Sequence, residues 1–456
     1  MASDGDSPAT APAAAAQPHP HEQTVTPWEV QGAEGVDGRL QAIDYTLLIK
    51  HFGTRPIDAA LLARFERLTG VAPHRFLRRG IFFSHRELSH ILDCHEQGKP
   101  WYLYTGRGPS SGAMHVGHMV PFIFCKWLQD VFHVPLVIQL TDDEKFLFKQ
   151  ELKMDAALRF ANENAKDIIA FGFDPANTFI FSNLSYMNPD FYQNVVRIQK
   201  CITTSTSKAA FGFKDMDNVG KLAFVAVQAC PAFSSTFPHV FGPKSNAHCL
   251  TPYFIANGAV VHNCAIDQDP YFRLTRDVAA RLKLRKPALV HSKFFPALQG
   301  HGTKMSASDP NSAVYLSDTP AQIKNKIRKH AFSGGQVSRE EHARLGGNPD
   351  VDVAYAYLTF FLDDDAELAD LEARYRQGTL TTGEMKDRCV AVVGDVVGAV
   401  QARRKTVTDG TLQAFTTAAS AEAAARAARH AAENAEAVET APAAAETTAA
   451  PASAAS

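Results

Sequence analysis

Short apolar runs alternate with amphipathic stretches through the middle of the chain. The runs with the length and composition of buried strands are 101–105, 135–141, 178–182 and 287–291. Between them, apolar residues recur at helical spacing, as in Val116, Val120, Ile123 and Trp127. This alternation predicts a parallel sheet covered by helices, which is the α/β fold class.

Helical patterns flank this central part on both sides. Residues 56–69 form an amphipathic pattern, and a second helix is predicted to begin at Ser84 as N-cap, with Glu87 completing a capping box. Beyond the last predicted strand, helices are expected at 323–330, 352–362 and 382–405. The last of these begins with another capping box, Thr381 and Glu384. The C-terminal unit is therefore predicted to be all-helical.

The chain is too long for one compact domain and divides by composition and pattern into five parts. It has 456 residues, of which 45% are hydrophobic and 21% charged, and this fits a globular protein with a sizeable core. The predicted parts are a disordered Ala/Pro-rich tail, a segment packed on the α/β domain, the α/β domain with a connective insertion, a helical domain and a disordered Ala-rich tail. Their bounds are 1–24, 25–100, 101–320, 321–416 and 417–456.

Charge and cysteine content exclude several classes of protein. Lys and Arg number 46 against 48 Asp and Glu, so nucleic-acid binding would need basic residues gathered on one face. The seven cysteines include no C-x-x-C pair, and we expect no metal centre, no disulfide framework and a reducing compartment. No apolar run has the length of a membrane span, and residues 1–23 match no targeting peptide. The cytoplasm is the expected location.

The first candidate site is the Gly-rich segment 105–118, TGRGPSSGAMHVGH, between a predicted strand and a predicted helix. Such a turn presents backbone N–H groups and the positive end of a helix, both of which bind phosphate. His115 and His118 lie three residues apart on one helix face, and Gly117 lets a ligand approach the backbone closely. The alternative is an ordinary helix start with two surface histidines.

The second candidate is the polar loop 302–309, GTKMSASD, around Lys304. A mobile loop with a lysine and hydroxyl groups suits a polyphosphate that is held during a reaction and then released. An ordinary surface loop is the alternative. Taken together, H-x-G-H after a strand and K-M-S-x-S after the last predicted strand are the paired signatures of class I aminoacyl-tRNA synthetases.

Five longer blocks narrow the class: YTGRGPSSGAMHVGH, VIQLTDDEKF, AIDQDPYFRLTRDVA, FFPALQGHGTKMSASDPNS and KHAFSGG. They closely resemble the eukaryotic cytosolic tryptophanyl-tRNA synthetases, and the likeness runs from about residue 25 to about residue 415. The resemblance implies a Rossmann-like catalytic domain followed by an all-helical anticodon-binding domain. It also implies ATP and L-tryptophan as substrates, Mg²⁺ with the ATP, tRNA(Trp) as a partner, and a homodimer formed through the connective region near 179–213.

Residues of both motifs acquire roles from this resemblance. The implied ATP-binding set is Arg107, Gly108, His115, Gly117, His118, Lys304, Met305, Ser306 and Ser308. The implied catalytic set within it is His115, Gly117, His118 and Lys304, which would stabilise the transition state as the tryptophan carboxylate attacks the α-phosphate. Lys304 would hold the departing pyrophosphate. Since Ala307 occupies the variable position of the motif, Lys304 is the cation of that loop.

For tryptophan, the resemblance points to five polar residues: Tyr104, Gln139, Glu144, Gln228 and Gln268. Indole has one N–H donor and no acceptor, so it needs an acceptor such as a Tyr or Gln oxygen. Glu144 would pair with the substrate ammonium group. Each Gln could instead be a buried amide that is satisfied within the protein, although an amide in an apolar strand, such as Gln139, is costly without a partner.

Two other functions remain compatible with the residues alone. A tyrosyl-tRNA synthetase has the same fold and chemistry, and Tyr104 with Gln139 could contact a phenol hydroxyl group. A non-catalytic paralogue that binds RNA or protein is the other alternative, but intact Lys304 and both histidines argue against it. Only the longer blocks distinguish tryptophan from tyrosine.

Residues 253–263, YFIANGAVVHN, separate two blocks that run together in the family. The Asn257-Gly258 pair between two apolar runs predicts a β-hairpin, because both residues tolerate positive φ. Such a hairpin would return the chain to its starting point before Gln268. A retained intron or a gene-model error explains the same segment equally well.

Overall fold

The computed structural model describes residues 24–25, 30–31, 43–256, 269–300 and 309–417, and a mixed β-sheet lies at its centre. Within these residues the strands are β1 (Thr24–Val25), β2 (Val30–Gln31), β3 (Arg55–Pro56), β4 (Phe82–Arg86), β5 (Trp101–Arg107), β6 (Leu136–Leu140), β7 (Thr178–Ser182), β8 (His248–Ala256) and β9 (Ala288–Phe295). β1 pairs with β2, and the other seven described strands form one sheet in the order β3-β4-β9-β8-β5-β6-β7.

Five neighbouring strands, from β9 to β7, run parallel, whereas β3 and β4 pair antiparallel at one edge of the sheet. The four predicted strands are present as β5, β6, β7 and β9, and the α/β fold class is confirmed. β4 and β8 were not predicted. Polar residues interrupt the apolar run of β4, and the apolar half of β8 was assigned to the predicted hairpin.

Helices cover the sheet and make up the C-terminal part of the described chain. From the N-terminal side to β8 they are α1 (Tyr45–Phe52), α2 (Ala59–Thr69), α3 (Arg75–Arg78), α4 (Leu88–Glu96), α5 (Val116–Phe132), α6 (Asp142–Phe148), α7 (Met154–Ile169), α8 (Asn183–Tyr186), α9 (Pro189–Gln199), α10 (Thr204–Phe211), α11 (Val219–Ala229) and α12 (Pro238–Phe241). After β8 follow α13 (Asp269–Arg281), α14 (Pro320–His330), α15 (Arg339–Leu345), α16 (Val353–Phe361), α17 (Asp365–Arg376), α18 (Thr382–Arg404) and α19 (Asp409–Thr416). Among the described helices, none is both long and apolar enough to cross a membrane.

The capping box predicted at Ser84 is wrong. Ser84 lies inside β4, where its hydroxyl group contacts His291 Nδ1 at 3.1 Å. The helix begins later, at Leu88, whose backbone N–H donates to His85 Nδ1 at 3.1 Å. Pairing of β4 with β9 therefore outweighs the local capping signal, because a buried strand needs partners for its backbone groups.

The sheet separates two apolar cores, and the strands contribute to them alternately. In β5, Trp101 and Leu103 belong to the core that contains α5, α16 and α18, whereas Tyr102 and Tyr104 belong to the core that contains α9, α11 and α13. This is the two-residue period of a strand that is buried on both faces. Tyr104 thus points away from α5, into the second core.

Part of the segment 253–263 belongs to the sheet. Tyr253 to Ala256 continue β8 and pair in parallel with β9, with an irregularity between Tyr253 and Ile255. The predicted first hairpin strand therefore has a different partner. The remainder of the segment, including Asn257-Gly258, lies outside the described residues, as do the residues 1–23 and 418–456 of the two tails.

The C-terminal helices follow the sequence pattern closely. Thr381 and Glu384 form the predicted capping box of α18, with Glu384 N donating to Thr381 Oγ1 at 3.3 Å and Thr381 N donating to Glu384 Oε2 at 2.8 Å. At the other end of α18, Arg404 forms ion pairs with Asp167 and Glu163 of α7. The helical part is thereby joined to the α/β part by its last turn as well as by its apolar face.

A buried arginine, Arg79, makes another polar junction between these two parts. Arg79 Nη1 donates to the carbonyl oxygens of Thr359 at 2.7 Å and Leu362 at 2.8 Å, where α16 ends, and Arg79 Nε donates to Asp365 at 2.7 Å, at the start of α17. The carbonyl groups at a helix C-terminus have no partner within the helix, and a cation suits the negative end of the helix. Arg79 therefore donates hydrogen bonds to the carbonyl groups at the end of α16 and also binds a carboxylate in the first turn of α17.

Replacing Arg79 with Ala should lower the free energy of unfolding by about 3 kcal/mol, because it removes the charged donor to two carbonyl groups at the end of α16. The side chain is only 8% exposed, so water cannot replace it readily. Arg67→Ala is the matched control, since Arg67 is 65% exposed and its pair with Glu96 is worth under about 1 kcal/mol. Thermal unfolding of the two variants should differ; equal midpoints would contradict the assigned role.

Candidate active site

The site lies where β5 and β6 end, at the carboxyl edge of the parallel sheet. β5 ends at Arg107, whose carbonyl oxygen accepts from Thr141 N at 2.9 Å, and Thr141 directly follows β6. From Arg107 the chain passes through the Gly-rich turn to His115, which is the N-cap of α5. Because parallel strands present their carboxyl ends together, this edge is where open α/β sheets bind ligands.

The two histidines of H-x-G-H lie together at the start of α5. Their rings stack with centroids 3.5 Å apart, and His115 N donates to His118 Nδ1 at 3.2 Å. Since His118 Nδ1 accepts this bond, its Nε2 carries the proton and can donate to a ligand. Burial, with the Arg107 guanidinium nearby, holds the pKa of both imidazoles well below the ordinary value. Both rings are therefore neutral donors at neutral pH.

His115 also carries a polar atom that no described residue satisfies. Its Nδ1 is buried and has no hydrogen-bond partner within the described part of the chain. A buried polar atom without a partner costs free energy unless a ligand or water supplies one. His115 is thus suited to contact a ligand rather than to serve the fold alone.

Arg107 is a buried cation next to these rings. Its Nε donates to Asn164 Oδ1 at 3.1 Å, and Asn164 is in turn held by bonds to the carbonyl oxygens of Ser111 at 2.8 Å and Phe160 at 2.9 Å. Burial lowers the pKa of Arg107 to about 10, so the group stays charged at neutral pH. A fixed buried cation beside a helix N-terminus favours phosphate.

Gly108 leaves room for a second cation that the sequence did not single out. A Cβ at this position would stand 2.0 Å from Lys145 Cε, so any larger residue would displace the lysine. Lys145 is buried, and its Nζ lies 3.1 Å from Glu144 Oε1. Only its position in the block VIQLTDDEKF indicated it. Lys145 thus belongs with Gly108 in the candidate site.

Tyr104, Gln139 and Gln228 form one chain of hydrogen bonds. The Tyr104 hydroxyl donates to Gln139 Oε1 at 2.6 Å and accepts from Gln228 Nε2 at 3.1 Å. Tyr104 and Gln139 are fully buried. The structure therefore brings into contact three of the five residues that were predicted to bind tryptophan. They lie on the face of β5 and β6 that is opposite to α5.

Two further residues extend this chain and were missed by the sequence analysis. Gln139 Nε2 donates to Asn183 Oδ1 at 2.9 Å, and Asn183 Nδ2 donates to Asp143 Oδ1 at 2.7 Å. Burial raises the pKa of Asp143 to about 7, with the neighbouring carboxyl groups of Asp142 and Glu144 adding to the effect. The chain therefore ends in a carboxyl group that titrates near neutral pH.

Glu144 lies apart from this chain, on the side of the two cations. It accepts from Thr141 Oγ1 at 2.5 Å and pairs with Lys145, and a Cβ on Gly108 would stand 3.2 Å from its Oε2. Burial raises the pKa of Glu144, whereas Lys145, Thr141 and Arg107 act in the opposite direction. These contacts of the Glu144 carboxylate are thus with the cation side of the candidate site.

The remaining predicted residues are not described by the structure. Gln268 lies outside the described residues, as do Lys304, Met305, Ser306 and Ser308 of the second motif. Their neighbours frame the site: the backbone N–H of Val116 donates to the carbonyl oxygen of Val314 at 2.9 Å, and Leu316 N donates to Met114 O at 2.8 Å. The chain that follows the second motif is thereby joined to the start of α5.

Comparison with known proteins agrees with this arrangement. Residues 265–397 match the family model "tRNA synthetases class I (W and Y)". The chain is 60% identical over 394 residues to the cytoplasmic tryptophan–tRNA ligase of Schizosaccharomyces pombe, covering 86% of this chain and 97% of that protein. It is 56% identical over 398 residues to the human cytoplasmic tryptophan–tRNA ligase, covering 87% and 81%.

Solved structures give the same result. The tryptophanyl-tRNA synthetase of Plasmodium falciparum is similar with a TM-score of 0.77 and 44% identity, over 84% of this chain and 99% of that one. The enzyme of Encephalitozoon cuniculi, bound to tryptophan, is similar with a TM-score of 0.73 and 43% identity, over 82% and 98%. Both likenesses extend over most of each chain.

Replacing Asp143 with Asn should make the protein more stable than the wild type at pH 8 but not at pH 4. The folded pKa of about 7 lies above the usual 3.8, so the stability that Asp143 contributes below pH 3.8 is lost as the pH rises through 7. The gain should be at most about 4 kcal/mol. Urea unfolding at several pH values measures it, with Asp130→Asn, an exposed carboxyl group, as the control. A pH-independent difference would refute this titration.

Proposed function

Because the chain belongs to the class I tryptophanyl-tRNA synthetases, we propose that it activates L-tryptophan with ATP and transfers it to tRNA(Trp). The first step yields tryptophanyl-adenylate and pyrophosphate, and the second yields tryptophanyl-tRNA. The reaction takes place in the cytoplasm, as the names of the fungal and human relatives state for those proteins.

The observation that carries the choice of tryptophan is the 60% and 56% identity to the fungal and human tryptophan–tRNA ligases, and the chain of hydrogen bonds through Tyr104 is compatible with an indole ligand. Among the described residues, Gln139 Oε1 accepts one hydrogen bond, from the Tyr104 hydroxyl group, and an amide oxygen can accept two. An indole N–H needs one acceptor of this kind. Asn183 and Asp143 hold the Gln139 amide from the other side, so that its oxygen stays directed at Tyr104.

In the proposed adenylate-forming step, the phosphate chemistry takes place beside Arg107 and Lys145, the two cations with which Glu144 interacts. A tryptophan carboxylate oxygen forms a bond to the α-phosphorus, and the bond from that phosphorus to the oxygen bridging it to the β-phosphorus breaks. Pyrophosphate leaves with the electron pair of that bond. Arg107 and Lys145 are buried cations next to this position, and His118 Nε2–H is a neutral donor. Such prearranged donors stabilise charge that develops in the transition state.

Several roles in this step rest on the family resemblance together with the geometry. We assign ATP contacts to Arg107, Gly108, His115, Gly117, His118, Lys304, Met305, Ser306 and Ser308, and catalysis to His115, Gly117, His118 and Lys304. Gly117 lies inside α5 and is buried between the two histidines. Lys304 would hold the β- and γ-phosphates as pyrophosphate departs. Gln228, Glu144 and Gln268 would bind the amino-acid head group.

Mg²⁺ is proposed to accompany ATP and to neutralise its phosphates, which is the usual way this ion enters such sites. In the described residues, the carboxyl groups that interact with Arg107 are Glu144 and Asp167, and they are engaged with Lys145, Thr141 and Arg404. They therefore suit a metal held through the substrate better than a metal held by the protein.

We further assign tRNA recognition to the helical part, residues 321–416, as the anticodon-binding domain. Its first helix, α14, exposes Lys324, Arg328 and Lys329. Basic residues gathered on one helix suit a phosphate backbone even though the whole chain carries a net charge of −2.

A homodimer is proposed through the region near 179–213. There α8, α9 and the residues between them expose large apolar side chains: Leu184, Met187, Tyr192 and Val196. Tyr192 and Val196 are one helical turn apart on α9 and therefore lie on the same face. Exposed apolar side chains gathered on one surface indicate contact with another protein surface.

Replacing Gln139 with Leu should weaken tryptophan far more than ATP, because the pocket loses an acceptor for indole. We expect the KM for tryptophan in ATP–pyrophosphate exchange to rise by at least about tenfold, equivalent to about 1.4 kcal/mol. Gln129→Leu is the matched control: Gln129 is a buried amide bonded to Asn177 O and Thr178 Oγ1, away from the site. Equal changes in both KM values would make Gln139 a structural residue.

Replacing Lys304 with Ala should reduce tryptophan-dependent ATP–pyrophosphate exchange by about 10²–10³, the usual loss when a donor to a developing charge is removed. The folded state should be unaffected, which circular dichroism would verify. Lys208→Ala, on the surface helix α10, should leave exchange unchanged. Exchange driven by tyrosine rather than tryptophan in the wild type would refute the proposed function, whereas near-normal exchange in Lys304→Ala would refute only the role of this lysine.

A further inference from the structure

Two histidines and a cysteine converge at the edge of the sheet opposite to the candidate active site. His90 and Cys94 lie one turn apart on α4, and His248 is the first residue of β8. Their ligand atoms all lie within 4.8 Å of one another. Cys94 Sγ is 3.8 Å from His90 Nε2, and the two histidine rings have centroids 4.8 Å apart.

We propose that His90, Cys94 and His248 bind a divalent transition-metal ion of the zinc type. In a tetrahedral zinc site, Zn–S of about 2.3 Å and Zn–N of about 2.1 Å separate the sulfur and nitrogen ligands by about 3.6 Å. The distance between Cys94 and His90 is already close to this value, so little movement is needed. One thiolate with two imidazoles favours Zn²⁺ over Mg²⁺ and Ca²⁺, which prefer oxygen.

The burial of the ligands fits a site with access for one additional ligand. Cys94 and His248 are buried, which fixes their side chains, whereas His90 is exposed. Three protein ligands leave the fourth tetrahedral position open toward the exposed side, where water can complete the shell.

The position of this cluster separates it from the reaction. His248 pairs with Trp101, the first residue of β5, whereas Tyr104 and Arg107 of the candidate active site lie further along that strand. At about 3.3 Å per residue, Tyr104 is roughly 10 Å and Arg107 roughly 20 Å along the strand from Trp101. A bound ion would join α4 to the start of β8 and thereby stabilise the sheet, without touching substrate.

The sequence analysis expected no metal centre because it looked for ligands close together in sequence. His90 and Cys94 have helical i, i+4 spacing, but an isolated pair of this kind is uninformative. The third ligand becomes adjacent only when β8 pairs with β5. The inference is independent of the proposed function, since it rests on a different edge of the sheet.

The test uses the full-length chain, reduced and stripped of metal with a chelator, and adds Zn²⁺ or Co²⁺ alone. We expect one Zn²⁺ per chain by calorimetry, a higher thermal unfolding midpoint, and for Co²⁺ a thiolate-to-metal charge-transfer absorption. Cys94→Ser and His248→Gln should each weaken Zn²⁺ binding by at least about 100-fold, because loss of a direct ligand costs more than loss of an outer partner. They should also abolish the zinc-dependent shift of the midpoint.

Further variants keep the test decisive if a buried substitution prevents folding. His90→Gln changes an exposed side chain, so it should fold and still lose the Zn²⁺ effect. Cys201→Ser, at a partly exposed cysteine away from the cluster, and His51→Gln, at an exposed histidine, should retain it. Zn²⁺ binding that survives His90→Gln, or no binding at micromolar Zn²⁺, would overturn the proposal. The contact between Cys94 and His90 would then be only a hydrogen bond.

Discussion

The parallel register of β5 against β6 is the constraint on which the candidate site depends. Tyr104 lies opposite Val137 and Gly106 opposite Gln139, so Tyr104 and Gln139 are diagonal neighbours on one face of the sheet. A shift of the pairing register by one residue would direct the Gln139 side chain to the other face of the sheet, into the apolar core there.

The same pair of strands also delivers the cations. Arg107 is the last residue of β5, and Lys145 lies in the first turns of α6, directly after β6. Two kinds of group therefore meet at one sheet edge: the neutral Tyr104 and Gln139 pair on the core face, and buried cations at the strand ends. Glu144 contacts the cation Lys145. The proposed reaction joins a carboxylate to a phosphate, and it needs both the amino-acid group and the phosphate group near one place.

Buried charge is expensive, and the structure offsets it with specific partners. Arg107 is held by Asn164, and Lys145 by Glu144, so neither cation depends on substrate for a partner. The two histidines avoid the cost by staying neutral, because burial and Arg107 hold their pKa values low. These donors are therefore already held in place without a ligand, and such prearrangement makes donors effective at stabilising charge in a transition state.

Local patterns in the sequence determined much of this protein. The apolar runs predicted β5, β6, β7 and β9, the capping box at Thr381 predicted the start of α18, and the blocks around H-x-G-H identified the family and its reaction. These features depend on neighbours along the chain, so a sequence contains them directly. Ser84 shows where such local patterns fail. Its capping signal predicted a helix start, but the residue pairs within the sheet with a strand that is far away in sequence.

Only the tertiary structure decided which side chains meet across elements. The contacts that no local pattern indicated are those of Lys145 with Gly108, Gln139 with Asn183, Asn183 with Asp143, Arg79 with the end of α16, and His90 and Cys94 with His248. Each joins residues on different elements, and the distance between them is set by strand order and register rather than by spacing along the chain. The sequence alone therefore determined the elements, the motifs and the family, while the packing of the sheet decided how the site is completed.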